Sequence, residues 1–355
     1  MSALLSPFTV RGMTARNRIW VSPMCQYSAV DGGPDDWHLM HLGQFAAGGA
    51  GLVMTEAAAV SPAGRISPRD AGIWNAEQVQ AWRRIVDFIH GQGAKAGMQL
   101  GHAGRKASTQ PPWEGRATVP ASEGGWQSVA PSAVAFGDYA TPRELTEAEI
   151  RRVVADFAAG ARRALDAGVD AIEIHAAHGY LIHQFYSPLS NLRTDGYGGD
   201  FDGRVRFMLE VATAVRAEIG DEVPLFTRLS ATDWADGGWT GDDTVRLARL
   251  LADHGVDLVD VSSGGITPAQ RIPLGPGYQV PFAQRIRAEA NVPTGAVGLI
   301  TEPRQAEQIV ATGAADVVFL ARALLRDPHW PLTAARVLGG DIEWPIQYVR
   351  ARLEG

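Results

Sequence analysis

Short apolar stretches alternate with longer amphipathic ones along the whole chain. The short stretches have the length and β-branched content of buried strands, and the longer ones repeat their apolar residues at the helical period. The predicted strands are Ile19–Met24, Leu52–Ala57, Lys95–Leu100, Ala171–Ala176, Pro224–Ser230, Leu258–Ser263, Thr294–Ile300 and Asp316–Ala321. The predicted helices are Trp37–Gly48, Asn75–Gly93, Thr146–Gly168, Gly203–Gly220, Gly241–Gly255, Gln279–Ala290, Glu302–Gly313 and Trp330–Leu338. This alternation predicts an α/β protein, a (β/α)8 TIM barrel.

The connections refine that prediction. Three helices end in a glycine that leads into the next strand, as expected where the chain makes a left-handed turn: Gly168, Gly255 and Gly313. A doubly wound sheet is the alternative, but no Gly-x-Gly-x-x-Gly opens the first helix. Residues 5–18 predict an N-terminal hairpin that closes the barrel floor, and residues 101–145 and 177–202 predict long, ordered lid loops. With no linker in sight, we expect one domain over residues 1–355.

Composition narrows the class of protein. The 355 residues carry a net charge of −7, which argues against nucleic acid or an anionic membrane as the main partner. Cys25 is the only cysteine, so neither an internal disulfide nor a cysteine-held iron–sulfur cluster can form. The sequence shows no secretory leader and no apolar run of the ~18 residues that a membrane helix needs. We therefore expect a soluble cytoplasmic protein.

The chemistry-bearing residues follow the predicted strands. His175, His178 and Tyr180 lie where the fourth strand runs into a loop, the edge at which barrel enzymes place their active sites. Two neutral imidazoles can each donate a hydrogen bond to one oxygen, and a phenol can give up a proton. Two alternatives remain open. The histidines could only cap the loop, or they could join His183 as ligands in a metal-dependent barrel hydrolase.

Other strand ends suggest a bound heterocycle. Gln99 can offer a donor and an acceptor to a pyrimidine-like edge, and Arg228 inside an apolar strand requires an anion. Small residues around Gly298, together with Arg322, can hold a phosphate at the last two strands. Cys25 is read equally well as a small core residue or as a contact to the far end of the ring. Together these positions predict a flavin mononucleotide (FMN) site.

At this point the sequence resembles the Old Yellow Enzyme family of FMN-dependent ene-reductases, in the branch of the thermophilic-type and bacterial xenobiotic reductases. The resemblance runs nearly end to end. It rests on Ser22-Pro-Met-Cys-Gln-Tyr27, Gln99-Leu-Gly-His-Ala-Gly-Arg-Lys106, His175-Ala-Ala-His-Gly-Tyr-Leu181 and Ser187-Pro-Leu-Ser-Asn-Leu-Arg-Thr-Asp-Gly-Tyr-Gly-Gly199.

The resemblance implies a role for each matching residue. FMN contacts are implied for Pro23, Met24, Cys25, Ala57, Gln99, His175, Arg228, Gly298, Leu299, Ala321 and Arg322. His175 and His178 would bind the substrate oxygen, Tyr180 would donate the proton, and Tyr27 would help to hold the substrate. The tail, about residues 340–355, resembles one that reaches into a neighbouring subunit with Arg350 or Arg352. That implies a homodimer or homotetramer. The chain departs from the family pattern at Asp200, Asp202, Gly203 and Ala321.

The implied activity is a ping-pong reduction of the activated C=C bond of an α,β-unsaturated carbonyl compound, an enone or enal, with NADPH or NADH as reductant and no metal. Nitro compounds and quinones are further candidate acceptors, and a flavin barrel that serves only as a sink for them is an alternative. A 2,4-dienoyl-CoA reductase is a second alternative. It is disfavoured because it needs an added iron–sulfur and second flavin domain.

Overall fold

The computed structural model describes residues 2–352, and it contains the predicted barrel. The strands are β1 (Phe8–Val10), β2 (Met13–Ala15), β3 (Ile19–Val21), β4 (Leu52–Ala59), β5 (Lys95–Gly101), β6 (Val129–Ala130), β7 (Arg143–Glu144), β8 (Ala171–Ala176), β9 (Leu225–Ser230), β10 (Leu258–Ser262), β11 (Thr294–Ala296) and β12 (Val317–Leu320). In chain order, β3, β4, β5 and β8 to β12 form a closed ring of parallel neighbours. The TIM-barrel prediction is confirmed.

Helices connect these strands. They are α1 (Asp36–Ala47), α2 (Ala76–Gly91), α3 (Glu147–Asp166), α4 (Leu181–Tyr186), α5 (Phe201–Ile219), α6 (Gly241–Asp253), α7 (Val280–Ala290), α8 (Pro303–Ala311), α9 (Arg322–Arg326) and α10 (Trp330–Val337). Four of them begin with a reciprocal capping box, in which the cap side chain and the third helical residue satisfy each other's backbone N–H. The caps are Asp35, Asn75, Thr146 and Thr240. None of the described helices is long and apolar enough to cross a membrane.

Two predicted strands are too long. β3 ends at Val21 rather than Met24, because Pro23 has no N–H for a strand ladder. β11 ends at Ala296 rather than Ile300, because Gly298 and Leu299 have positive φ angles of 114° and 51°. In both places the backbone leaves the barrel early and forms a loop at the mouth.

The sequence predicted that the second lid is a loop throughout, but the helix α4 (Leu181–Tyr186) lies within it. The helix α9 was also not predicted from the sequence. The lids are tied together by Arg193, which donates to Pro131 O (2.9 Å) and Leu145 O (2.6 Å) at the base of the first lid. That side chain therefore fixes the position of one lid relative to the other.

The residues that depart from the family pattern form an ordered turn. Asp200 caps α5 by accepting from Gly203 N at 2.9 Å, and Arg204 donates to Tyr186 O at 3.1 Å. A Cβ at Gly203 would lie 2.1 Å from Gly198 O, so this tight turn accepts only glycine there. Arg204 thus connects α5 to α4, while the departing Asp200 caps α5.

The core lies in two layers. One lies between the barrel and its helices and includes the fully buried Phe45, Trp82, Phe157 and Phe207. The other fills the barrel near its floor around Trp20, whose ring is 5.6 Å from Phe226, 5.5 Å from Phe319 and 5.9 Å from Phe8 of the β1–β2 hairpin. The predicted hairpin is therefore present and covers the amino-terminal end. The carboxyl-terminal mouth is the end available for chemistry.

Candidate active site

The end of β8 positions three side chains together. His175 belongs to the strand, and His178 and Gly179 follow with φ angles of 59° and 74°, which turn the chain sharply. A Cβ at Gly179 would lie 2.1 Å from Gly265 O, so the turn requires glycine. Tyr180 comes next, as the residue before α4. As a result the His175 ring centroid lies 5.2 Å from that of His178 and 4.9 Å from that of Tyr180.

Neighbouring groups decide where each imidazole carries its proton. His175 Nδ1 accepts from Ala177 N at 3.3 Å, which leaves the proton on Nε2. His178 Nε2 lies 2.7 Å from Ser262 Oγ, which is nearer than that hydroxyl's other acceptor, Gln279 Oε1 at 3.4 Å; with the hydroxyl donating to the ring, the proton of His178 is on Nδ1. Each ring then presents one N–H donor. Ser262, at the end of β10, was missed by the sequence analysis, and its only signal was its place at a strand end.

Both histidines are held neutral. Burial, and then the positive charge of Arg228, lower the pKa of His175 and His178 well below the usual value. Two uncharged N–H donors suit a substrate oxygen that is neutral at first and gains negative charge during reaction.

Tyr180 keeps its proton. Burial raises the pKa of the Tyr180 phenol well above its usual value, and negative charge at Cys25 or Tyr27 would raise it further. Lys106 lies next to Tyr180, with its Nζ 5.6 Å from the phenol ring centroid. Lys106 Nζ donates to His178 O at 2.7 Å and to Gly265 O at 2.5 Å. Burial lowers the pKa of Lys106 to about 7. The sequence analysis gave Lys106 no role, although it is one of only two lysines in the chain.

A polar network lies across four adjacent strands below this group. Gln99 Nε2 donates to Glu173 Oε1 at 2.7 Å, and Arg228 Nε lies 3.1 Å from Asp260 Oδ2. All four side chains are buried. Sequence analysis selected Gln99 and Arg228 but missed Glu173 and Asp260. The same signal, a charged residue inside an apolar strand, would have found both.

The segment after β3 approaches the site from another side. Burial raises the pKa of the Cys25 thiol well above its usual value, so the thiol is neutral. The next residue, Gln26, donates its N–H to Glu56 Oε2 at 3.1 Å. Tyr27 has a φ of 52°, and its ring meets Trp113 of the first lid at 5.6 Å. The lid thus contacts the predicted substrate residue directly.

The remaining predicted FMN contacts lie on adjoining strand ends. Pro23 and Met24 precede Cys25, and Ala57 faces Gln99 across the β4–β5 ladder. Gly298 and Leu299 follow β11, and Ala321 and Arg322 follow its neighbour β12.

Gly298 leaves room that no other residue would. A Cβ there would lie 2.6 Å from Gln279 Nε2 and 3.0 Å from the Tyr278 ring. Its φ of 114° is also unfavourable for any other residue. The loop can therefore bring its backbone close to a bound group, next to the exposed Arg322.

The two C-terminal arginines, Arg350 and Arg352, do not contact the active-site residues of their own chain. Arg350 and Arg352 are exposed, and Arg352 pairs with Asp341. Ile342, earlier in the tail, packs against Gly49, just before β4 and thus at the end of the barrel opposite His175.

His183 does not join the histidine pair as a ligand. Its Nδ1 accepts from Gly179 N at 2.9 Å, and its Nε2 lies 2.7 Å from Asp233 Oδ1, so both nitrogens are occupied. Within residues 2–352 no group of three His, Cys, Asp or Glu side chains is arranged to hold a metal ion. The hydrolase alternative therefore has no ligand set among these residues.

Comparison with known proteins agrees with the geometry. Residues 3–339 match the NADH:flavin oxidoreductase / NADH oxidase family. The chain is 50% identical over 350 residues to an NADPH dehydrogenase of Geobacillus sp., covering 98% of both chains. Among solved structures it resembles the Old Yellow Enzyme homologue of Zymomonas mobilis, with 28% identity, a TM-score of 0.78, and coverage of 97% and 95% of the two chains. The chain belongs to the Old Yellow Enzyme family.

The barrel also resembles a 2-naphthoyl-CoA reductase, with 25% identity and a TM-score of 0.86. The alignment covers 95% of this chain but only 52% of that longer one, so the likeness concerns the barrel part.

Membership of the Old Yellow Enzyme family makes the protein an NAD(P)H-dependent flavin oxidoreductase with FMN as cofactor. The residues present fit that group. Glu173 Oε2 and Asp260 Oδ1 are buried without a partner among residues 2–352, and Arg228 Nε and Asp260 Oδ2 form an ion pair at 3.1 Å but no well-directed hydrogen bond. A buried arginine beside a donor–acceptor amide is suited to the polar edge of an isoalloxazine ring. The chemistry of this site and the family assignment therefore point to the same cofactor.

Proposed function

We propose that this enzyme reduces the activated C=C bond of α,β-unsaturated carbonyl compounds, using NADPH or NADH in a ping-pong cycle. The observation that carries the proposal is the group at the end of β8. There the ring centroids of a second neutral imidazole, His178, and of a protonated phenol, Tyr180, lie 5.2 and 4.9 Å from that of His175. Two donors for one oxygen and a separate proton donor are what reduction across an enone requires.

In this proposal the polar network and the small-residue loops hold FMN. Gln99 and Arg228 meet the ring's polar edge, while Pro23, Met24, Cys25, Ala57 and His175 line it. Gly298, Leu299, Ala321 and Arg322 hold the phosphate, because backbone N–H groups and a guanidinium bind such an anion well. When bound, FMN accepts a hydride from NAD(P)H and later passes it to the substrate.

The substrate is oriented by the chain's own residues. His175 Nε2–H and His178 Nδ1–H donate to the carbonyl oxygen and stabilise the negative charge that grows there as the β-carbon accepts hydride. Tyr180 then transfers its phenolic proton to the α-carbon and regains one from solvent. Tyr27 holds the far side of the substrate, with Trp113 of the first lid behind it.

The proposal extends to assembly and location. Because Arg350 is exposed on its own chain, its implied role needs a neighbouring subunit, as in a homodimer or homotetramer. The net charge of −7 fits a cytoplasmic enzyme acting on small molecules.

The deciding experiment mixes the NADPH-reduced holoenzyme anaerobically with 2-cyclohexenone and follows the flavin absorbance. We expect the yellow colour to return at a rate that rises with enone concentration, with one cyclohexanone formed per flavin. A quinone and a nitro compound are run in parallel as alternative acceptors. Fast reoxidation by these two together with none by the enone would contradict the proposal and favour the sink alternative.

A further inference from the structure

Two carboxylates lie in the centre of the barrel mouth without enough positive charge to balance them. Glu173 on β8 and Asp260 on β10 are both fully buried. Glu173 Oε1 accepts from the amide of Gln99, and Asp260 Oδ2 is paired only with Arg228 Nε at 3.1 Å, while Glu173 Oε2 and Asp260 Oδ1 have no partner among the described residues. We call Glu173 and Asp260 the acid pair.

The groups facing the acid pair come from each neighbouring strand. β5 contributes the neutral Gln99 and β9 contributes Arg228, while β11 places only Gly295 across the ladder from Asp260. His175, two residues after Glu173 on β8, is kept neutral by its lowered pKa. Arg228 lies directly across the ladder from both His175 and Asp260. One guanidinium thus serves two carboxylates, and full ionisation would leave one buried negative charge uncompensated.

The physical expectation is that the acid pair holds a proton over part of the neutral range. Burial raises the pKa of Glu173, and the negative charge of Asp260 raises it further, against the opposing effects of Arg228 and Gln99. Burial likewise raises the pKa of Asp260, while Arg228 lowers it. A change in the charge near Arg228 must therefore change the protonation of the acid pair.

We propose that the Glu173–Asp260 acid pair takes up one proton from water when FMN is reduced and releases it when FMN is reoxidised. This rests on the proposed placement of the FMN ring against Gln99 and Arg228. Hydride transfer from NADPH brings two electrons and one proton to the ring, which then carries one extra negative charge. The positive charge of Arg228 then compensates that anion, and protonation of one carboxylate keeps the net charge of the buried site unchanged. In this cycle Glu173 and Asp260 are positioning residues that act through Arg228.

The test is the pH dependence of the FMN midpoint potential in the intact holoenzyme. The midpoint potential of a two-electron reduction that takes up one proton falls by about 30 mV for each tenfold decrease in proton concentration. Each further proton taken up adds about the same amount to this slope. We expect wild-type slopes above about 30 mV per pH unit within about pH 6–9, the range to which burial can raise a carboxyl pKa. A slope near 30 mV throughout overturns the proposal.

Variants locate the proton. E173Q and D260N each remove the like charge that helps to raise the pKa of the remaining carboxyl, so its proton uptake should leave this pH range and the slope should return to about 30 mV per pH unit. D257N is the matched control, because Asp257 pairs with Arg216 at 2.7 Å near the start of β10 and away from the acid pair. Its slope should equal that of the wild type. An excess slope that persists in both E173Q and D260N overturns the proposal.

A measurement on the wild type covers the case in which the variants do not fold. The reduced-minus-oxidised infrared spectrum should gain a protonated-carboxyl C=O band that shifts in D₂O. Its absence counts against the acid pair. These readouts are separate from enone turnover, so the enzyme can reduce cyclohexenone and still fail this test, or pass it and fail with the enone.

Discussion

At the amino-terminal end of the barrel three aspartates have both a backbone hydrogen bond and an ion pair, whereas at the mouth two buried carboxylates remain partly unpartnered. Asp170, Asp257 and Asp316 each accept from the backbone N–H of a residue on the preceding strand, at 2.8, 2.8 and 2.9 Å, and each also pairs with a basic side chain. At the mouth, Glu173 Oε2 and Asp260 Oδ1 have no partner among residues 2–352, and Asp260 Oδ2 has only the ion pair with Arg228 Nε at 3.1 Å.

This difference indicates that the floor contributes stability, whereas the mouth keeps polar groups free to bind a ligand. Satisfied buried groups stabilise a fold, while an unpartnered one costs about 1–3 kcal/mol until something binds it. The floor is sealed by aromatic rings and paired charges, and the mouth keeps its polar groups available. Substitutions at the two ends should therefore separate loss of stability from loss of function.

The largest effect is expected at the mouth. Tyr180→Phe removes the proton donor and should slow reoxidation of the reduced enzyme by enone about 10²- to 10⁴-fold. Reduction by NADPH and the melting temperature should be unchanged, since the substitution removes a single hydroxyl and keeps the ring. Stopped-flow measurement of the two half-reactions checks this. An unaltered enone rate would remove Tyr180 from its proposed role.

The floor should respond in the opposite way. Trp20→Ala removes the indole that contacts Phe8, Phe226 and Phe319, and should lower the free energy of unfolding by about 3–5 kcal/mol. Turnover per bound FMN should be preserved at temperatures where the protein stays folded. Urea unfolding followed by tryptophan fluorescence measures the first effect. A large loss of turnover without loss of stability would contradict the comparison.

The smallest effect sharpens the comparison within the mouth. Ser262→Ala removes the hydroxyl that lies 2.7 Å from His178 Nε2 and frees the ring to change tautomer. One neutral hydrogen bond is worth about 0.5–1.5 kcal/mol, so the enone half-reaction should slow roughly 2- to 13-fold. Ser263→Ala, which removes a donor to Gln279, is the control and should leave that rate unaltered. Equal effects of both substitutions would mean that His178 is not selectively oriented.

Much of the candidate site was predictable because strand ends in a barrel converge on one face. The residues at the ends of β3, β5, β8 and β9 could be assigned to a common mouth from their place in the βα alternation alone. The Cys25, Gln99, His175 and Arg228 environments followed from that rule and from the family resemblance. Their detailed FMN and substrate roles stay predictions.

What the sequence could not supply were partners distant in the chain. Ser262 contacts His178, which is 84 positions away in the chain, and Asp260 on β10 pairs with Arg228 on the adjacent strand β9. Lys106 reaches His178 O and Gly265 O from a different lid. Helix α4 was hidden because its residues Leu181–Tyr186 are all buried, which removes the amphipathic pattern that identifies a surface helix.

The barrel, its floor hairpin and the residue types at the mouth could be predicted from the amino-acid sequence, because hydrophobic period and glycine placement are local properties. The nitrogen that each histidine has free to donate, the carboxylates that share Arg228 and the contacts of Arg193 with both lids became visible only in the folded chain. Those features depend on distances between strands and loops far apart in the chain. They are set when the barrel closes and buries the groups together.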